Sequence, residues 1–416
     1  MSRILNFGSC NLDYVYSLDH IVAAGETEAS DTLGIFPGGK GLNQSIAAAR
    51  AGAEVYHAGC IGEDGMLLQS VLRGNGVDVS LLRISEGRSG HAMIQVAESG
   101  ENSIVLYQGA NVTFTREQID VFLEGFGEGD ILLVQNETNL VCYAVEKAYE
   151  KGMAVVLTPS PINGEIRKID FSKLTYLILN EVEAKAISGT DDTDAALLYF
   201  GSRYPKLRVV MTLGKKGCIY RDTERSLFHP SFTVEAVDTT GAGDTFVGYF
   251  ITAVSEGLEV EAALRIASAA SALAVSQKGA ATSVPRRREV EAALPALKPR
   301  EENVGYDVLR QKILRYFELN LSSARLDGLA SELGYSAVYT GATVKKLLGK
   351  TFSEILTERR CEAAAEMLRS TDMSVEQIIS CVGYENESFF RSKFKKKYKK
   401  TPAEYRRLVK GRKIIN

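Results

Sequence analysis

The stretch "VDTTGAGDTFVGYF", residues 237–250, joins an aspartate, two threonines and a Gly-Ala-Gly-Asp run to an apolar helical pattern. Its glycines free the backbone to turn, so that successive N–H groups point into one concavity. The helix that follows adds the positive end of its dipole, which makes a trap for a phosphate or a developing oxyanion. Asp244 falls in the first turn of that helix, where its carboxylate can take a proton from an attacking hydroxyl. A lone GxGD would equally well be a capping aspartate after a glycine turn. Here a second glycine-rich turn, "FPGGKGLNQSIAAARAG" at 36–52, also leads into an Ala-rich helix. Gly39 permits close backbone approach, Lys40 offers a cation, and Asn43 and Gln44 offer amides, a set suited to a polyhydroxylated small molecule. A plain helix N-terminus accounts for Gly38 and Gly39 but not for Lys40 and Asn43.

Around these two turns, up to about residue 298, strands and helices alternate. "ILNFG", "VYHAGCIG", "ILLVQ", "AVVLTPS", "YLILN" and "VVMTLG" are short apolar runs with helical stretches between them. That order predicts a parallel sheet covered on both faces. "YVYSLDHIVAAGETEASDTLGIF" and "GHAMIQVAESGENSIVLYQ" instead alternate with period two around turn residues. They are expected as hairpins outside the main sheet, forming a lid over the site.

The chain has 416 residues, more than one core usually supports, so two domains are expected. No apolar run approaches the roughly 18–20 residues that span a bilayer, and "MSRILNFGSCNLD" lacks a signal-peptide layout. Six cysteines without a CxxC pair read as reduced thiols, and a cytoplasmic setting is expected. Four histidines in no tight cluster argue against a structural metal. From Arg300 onward there are 23 Lys+Arg against 15 Asp+Glu, whereas residues 1–299 hold 26 against 37. An acidic body thus carries a basic tail, and a surplus confined to one segment favours a nucleic-acid footprint over an ordinary solvated face. "PALKPREENVG" at 295–305 is expected to connect them, with domains at 1–298 and 306–416 and a linker at 299–305. Beyond it the pattern is purely helical and repeats. "LASELGYS…VKKLLGKTFSEIL" recurs as "IISCVGYE…FKKKYKKTPAEYR", with Gly334-Tyr335 answering Gly383-Tyr384 and Lys345-Lys346 answering Lys395-Lys396. Two helix-turn-helix units are expected.

On its two glycine-rich signatures, in this order and separation, the segment 1–298 resembles the ribokinase, or PfkB, family of carbohydrate kinases. The resemblance implies a three-layer α/β/α domain with a small β lid that transfers the γ-phosphoryl group of ATP, with Mg²⁺, to a sugar hydroxymethyl group. It implies Asp244 as catalytic base and the Gly241, Ala242 and Gly243 amides as anion hole. "GSCNLD" resembles the sugar-binding opening of ribokinase, which puts Asn11 and Asp13 on sugar hydroxyls together with Gly39, Lys40, Asn43 and Glu137. "LNEVEA" resembles the family's NxxE motif, assigning Asn180 and Glu183 to phosphate and Mg²⁺ through water. "TLGKKG" resembles the nucleotide loop, placing Thr212, Gly214 and Gly217 along ATP, with Ser268 beside adenine. Asp238, Thr240, Ala274, Gln277, Gly279 and Ser283 correspond to a monovalent-cation site, usually K⁺. The substrate implied is a pentose such as ribose or its deoxy form, with a nucleoside as runner-up. A homodimer through the β lid is implied as well.

The tail, over roughly 305–408, resembles the DNA-binding domain of the AraC family in Gly383-Tyr384, Ser388, Phe390, Phe394-Lys395-Lys396, Thr401-Pro402 and Tyr405-Arg406. Phe389, Phe390 and Phe394 are expected to anchor the second recognition helix. Asn386, Glu387 and Arg391 then face a major groove of double-stranded DNA, and Lys395 to Lys397, Lys399 and Lys400 face phosphates. The first repeat carries Gly341 within its helix and Ala342 where the family often has Arg, so it is expected to supply phosphate contacts and weak reading. Two readings of the fusion stay open: a working kinase that also regulates transcription, or a regulator whose kinase fold only senses sugar or nucleotide.

Overall fold

A computed structural model describes residues 2–300 and 304–411. It divides into two compact units, Met1–Glu302 and Asn303–Asn416. The larger unit opens with β1 (Ile4–Phe7), β2 (Asn11–Leu18), β3 (Thr32–Gly38), α1 (Lys40–Ala51), β4 (Val55–Ile61), α2 (Met66–Gly74), β5 (Leu82–Ile84), β6 (Gly90–Ala97) and β7 (Asn102–Tyr107). It continues through α3 (Arg116–Leu123), β8 (Ile131–Val134), α4 (Val141–Glu150), β9 (Ala154–Leu157), β10 (Tyr176–Asn180), α5 (Glu181–Ser188) and α6 (Thr193–Arg203). β11 (Arg208–Thr212), β12 (Gly217–Arg221), β13 (Ser226–Pro230), α7 (Ala242–Ser255), α8 (Val260–Val275) and α9 (Arg287–Ala293) complete it.

Nine strands form one sheet in the order β13-β12-β11-β10-β9-β8-β1-β4-β5. Its strands send alternate residues to opposite faces, as a pleat requires. Leu133, Val156, Ile178 and Val210 pack with α1, α2, α7, α8 and α9 on one side. Leu132, Val155, Leu177 and Val209 pack with α3, α4, α5 and α6 on the other. Runs apolar at every position are therefore what a sheet buried on both faces demands. The sheet is parallel as expected through its centre, while β12 and β13 run antiparallel at one edge. The turn at Gly214–Gly217 is too short for a crossover helix, so the strand that follows β11 must double back.

The two alternating segments form the hairpins β2–β3 and β6–β7, joined through a parallel β2–β6 pairing into a separate four-stranded sheet. Residues 299 and 300, expected in the connecting segment, belong instead to the edge of this unit. Pro299 bridges Phe232 antiparallel, the Arg300 N–H donates to the Ser231 carbonyl at 2.8 Å, and the Thr233 N–H donates to the Lys298 carbonyl at 2.9 Å. Residues 301–303 lie outside the described residues.

The smaller unit contains α10 (Val304–Leu319), α11 (Leu326–Leu333), α12 (Ala337–Leu348), α13 (Phe352–Ser370), α14 (Val375–Cys381), α15 (Glu387–Tyr398) and α16 (Pro402–Gly411). It has two small cores, one per repeat. Ile313, Phe317, Leu329, Val344, Phe352 and Ile355 make the first. Cys361, Leu368, Ile379, Phe390 and Phe394 belong to the second. The long α13 contributes to both and so ties the two repeats together. Among the described residues no helix is long and apolar enough to cross a membrane.

Candidate active site and nucleic-acid interface

The parallel strands deliver the candidate residues to their common C-terminal end. Gly8 to Asn11 follow β1, Gln135 to Glu137 follow β8, Thr158 follows β9, Asn180 ends β10 and Thr212 ends β11. Three helices also begin there. Gly39 caps α1, Asn180 caps α5 and Gly241 caps α7. Lys40, Asn180, Glu183, Thr212, Gly241, Gly243 and Asp244 line one cleft of about 250 Å³. Converging helix N-termini concentrate positive potential at that cleft, which suits a phosphate chain.

Gly241 adopts the left-handed conformation, with φ of 74°, which a side chain would resist. That turn brings Asp244 into the first turn of α7. The Asp244 carboxylate accepts from Gln44 Nε2 at 2.9 Å and Asn43 Nδ2 at 3.1 Å. A segment two hundred residues away thus aims it. Of the three amides expected in the anion hole, the Ala242 N–H already donates to the Thr239 carbonyl at 3.3 Å. The Gly241 and Gly243 N–H groups have no acceptor among the described residues. Behind Asp244 a buried chain of polar groups leads inward. Gln44 Oε1 accepts from Gln135 Nε2 at 2.7 Å, and Gln135 Nε2 also donates to Asn6 Oδ1 at 2.9 Å. Gln44, expected to offer its amide to a polyhydroxylated ligand, instead spends it on Asp244 and Gln135. Gln135 has no role in the sequence reading, and nothing local marks it as a partner.

Lys40 is held charged first by Asp244, against the penalty of burial, with Glu137 and Glu183 adding to the effect. Glu137 accepts from the Lys40 N–H at 2.9 Å and from the Ser9 hydroxyl. Burial pushes its carboxyl above the usual range, against the pull of Ser9 and Lys40. Asp13 is pushed up to about 7, first by burial and then by the Glu137 charge. Asn11 is buried, and its Oδ1 accepts from Asn111 Nδ2 at 2.8 Å. Asn111 is a second residue that the sequence reading leaves out. The Oδ1 of Asn43 is buried without a hydrogen-bond partner among the described residues, an acceptor open to a ligand hydroxyl.

The NxxE residues have a local role as well. Asn180 Oδ1 accepts from the Glu183 N–H and Glu183 Oε2 from the Asn180 N–H, each at 2.9 Å, a reciprocal capping box that starts α5. Among the described residues the remaining Glu183 oxygen stays available beside the cleft for a hydrated Mg²⁺, which takes oxygen ligands, and the Asn180 amide nitrogen can donate to a phosphate oxygen. Thr212, Thr239 and Gly243 also line an adjoining pocket of about 360 Å³ that includes Gly214, Gly217, Ser268, Phe232, Val234 and Val275. Its walls are largely apolar and suit a flat base. Ser268 is buried and lies 3.8 Å from Cys218 Sγ.

Of the six residues expected at a monovalent cation, hydrogen bonds bring Asp238, Thr240 and Gly279 together. Asp238 accepts from the Thr240 N–H and the Gly279 N–H, both at 2.9 Å. The Gln277 N–H donates to the Ala274 carbonyl at 3.1 Å, and Ser283 donates to Ala280 at 2.9 Å. Burial disfavours the Asp238 carboxylate, but the Thr240 and Gly279 bonds and the Lys278 charge outweigh it and hold the carboxyl below its ordinary range. An ionised carboxylate at this loop is a chemistry that suits a monovalent cation.

In the smaller unit both turns use a left-handed glycine, Gly334 and Gly383. Phe390 and Phe394 are fully buried, but Phe389 is 48% exposed and does not anchor the helix. The reason is angular: 390 and 394 share one helical face, and 389 lies about 100° away. Asn386 Oδ1 caps α15 by accepting from the Phe389 N–H at 2.9 Å. Arg391 is paired with Glu376 at 2.8 Å and Glu387 at 3.2 Å. Lys397, expected on a phosphate, instead pairs with Glu362 of α13 at 2.5 Å. Lys399 is spent in part on geometry, closing α15 with a left-handed φ of 58°. Lys395 and Lys396 are exposed and have no ion pair among the described residues. In the first repeat Val338 is 85% exposed, beside the half-exposed Tyr339, while Ala342 offers no hydrogen-bonding group.

Residues 1–287 match the model of the pfkB family carbohydrate kinases, and residues 329–408 match a helix-turn-helix domain model. A ribokinase of Bacillus subtilis is 37% identical over 299 residues, covering 71% of this chain and 100% of that protein. A deoxyribokinase of Salmonella typhimurium is 30% identical over 290 residues, covering 67% of this chain and 94% of that one. The structure of Arabidopsis thaliana ribokinase complexed with ribose and ATP superposes with a TM-score of 0.63 at 29% identity, covering 71% of this chain and 99% of that one. With Asp244, the glycine turn and the capped NxxE helix meeting at one cleft, the chain belongs to the pfkB family of ATP-dependent carbohydrate kinases and carries an AraC-type helix-turn-helix domain at its C-terminal end.

Proposed function

We propose that the larger unit phosphorylates the hydroxymethyl group of ribose or a closely related furanose pentose, and that the smaller unit binds double-stranded DNA. The observation that carries the first part is the aimed Asp244 carboxylate beside Lys40 and the N-terminus of α7. Asn11, Asp13, Asn43 and Glu137 hold the sugar hydroxyls, so that the reacting oxygen lies against Asp244. Asp244 takes its proton as that oxygen attacks the γ-phosphorus, and the bond to the departing ADP breaks. The Gly241 and Gly243 amides, together with Lys40, stabilise charge on the transferred group. Asn180 and Glu183 would hold a hydrated Mg²⁺ against the phosphates, which neutralises charge there. Asp238, Thr240 and the 274–283 loop would hold K⁺ and so keep the Gly241 turn in shape.

Arg391 reads bases once DNA phosphates or base edges compete it away from Glu376 and Glu387, while Lys395 and Lys396 neutralise phosphates. Leu33, Ile35, Met93 and Val105 leave an exposed apolar face on the lid, which supports a dimer through that sheet. Release of ADP from ATP, measured with ribose, 2-deoxyribose, hexoses and nucleosides at equal concentration, tests the substrate. Ribose or deoxyribose should give the highest kcat/KM. A nucleoside that exceeds both would replace the sugar assignment, and binding of sugar and ATP without turnover would favour a sensor.

A further inference from the structure

The nucleotide pocket has one wall that the family match does not reach. The match ends at residue 287, yet Arg300 lines the base end of the pocket together with Lys215, Ser231, Phe232 and Val234. Its position is fixed by the backbone. Residues 298–300 run antiparallel to 231–233, with the Arg300 N–H on the Ser231 carbonyl and the Thr233 N–H on the Lys298 carbonyl. Ser231 in turn joins this bridge to the nucleotide loop. Its N–H donates to the Lys216 carbonyl at 3.3 Å, and its hydroxyl donates to the Lys215 carbonyl. Loop, Ser231 and Arg300 thus form one continuous backbone network around the pocket. Only residues 301–303 separate Arg300 from α10, the first helix of the DNA-binding unit.

We propose that Arg300 is a nucleotide-binding residue supplied by the connector, and that nucleotide occupancy pins the start of that connector to the kinase unit. This rests on the kinase reading above. The chemistry fits the residue type. A guanidinium is flat, permanently charged and rich in donors, so it can lie against a purine face or donate to the ring nitrogens. Phe232, Val234 and Val275 make much of that pocket apolar, and Arg300 and Lys215 are the two cationic side chains among its lining residues. Linkage makes the effect reciprocal: if the docked bridge presents Arg300 to the nucleotide, nucleotide must favour the docked bridge by the same factor.

The test uses the full-length chain with Mg·ADP as the probe. Calorimetry should give Arg300→Ala a Kd about 5- to 30-fold weaker than wild type, the range expected for losing one such contact. Arg300→Lys should recover part of that loss. The backbone bridge survives in both variants, so matching thermal unfolding curves without nucleotide show that the fold is kept. In parallel, hydrogen exchange of the peptide spanning 293–303 should slow on ADP addition in wild type and not in Arg300→Ala. A Kd for Arg300→Ala within twofold of wild type, or exchange indifferent to ADP in wild type, overturns the proposal. Absence of ADP binding by wild type overturns the kinase reading itself, a separate and distinguishable result.

Discussion

Replacing Asp244 with Asn changes one atom and removes the proton acceptor. The carboxylate accepts two amide hydrogen bonds, from Gln44 and Asn43, and it is the largest electrostatic partner of Lys40. An Asn in its place turns an NH₂ toward one of those donors. Loss of a general base costs about 10²–10⁴ in rate, which is roughly 3–5.5 kcal/mol of barrier. Leaving one buried donor unmet costs about 1–3 kcal/mol of stability, so the variant should melt below wild type. ADP release in the presence of ribose measures the rate, and calorimetry with ribose and with ADP measures binding. Both ligands should still bind, because neither the Gly241 turn nor the sugar residues change. Gln44→Ala provides a graded comparison. It keeps the base but loses its aim, so kcat should fall about 10- to 100-fold with ribose KM little changed. Turnover by Asp244→Asn within a few-fold of wild type would refute the base assignment.

Because Asp13 is pushed up to about 7 by burial and by Glu137, ribose should bind more tightly as pH rises through 7 and the carboxylate becomes the better acceptor. Stability should move the other way. A raised carboxyl lets the native state hold more protons than the unfolded chain between about 4 and 7, so unfolding free energy falls across that window; Asp13→Asn should flatten both curves. Activity should rise with K⁺ and less with Na⁺, and Asp238→Ala should abolish the response; equal rates in K⁺-free and potassium buffers would count against the cation site. Arg391→Ala should narrow the gap between preferred and random duplexes, whereas Lys395→Ala and Lys396→Ala should weaken both alike and lower the salt slope by about one each. Gly341 lies within α12, and a Cβ added there meets only Leu326 Cδ2 at 3.5 Å. Gly341→Ala should therefore stabilise the smaller unit by about 0.5–1 kcal/mol, read as a higher melting temperature of that unit.

Features that depend on neighbours in the chain were legible in the sequence. Gly241 at the start of α7, Asp244 in its first turn and the two Gly-Tyr turns at 334 and 383 all follow from local geometry over a few residues. So do the lid hairpins, where alternation and turn chemistry act within one segment. What needed the tertiary structure is where distant segments meet. Gln44 and Asn43 face Asp244 only because α1 packs closely on α7, where a Cβ on Gly248 would come within 2.4 Å of the Ala47 methyl. Asn111 reaches Asn11 across a hundred residues. Phe389 reads like its buried neighbours by composition, but helix angle turns it outward. Lys397 reads as a phosphate ligand, but α13 supplies Glu362 beside it. Residues 299 and 300 have the composition of a linker, and only a backbone ladder with 231–233 makes them part of a pocket wall. Hydrogen bonds between backbones carry no signature in side-chain identity, so a sequence can announce its turns and motifs while the partners of its strands, charges and termini are decided by packing.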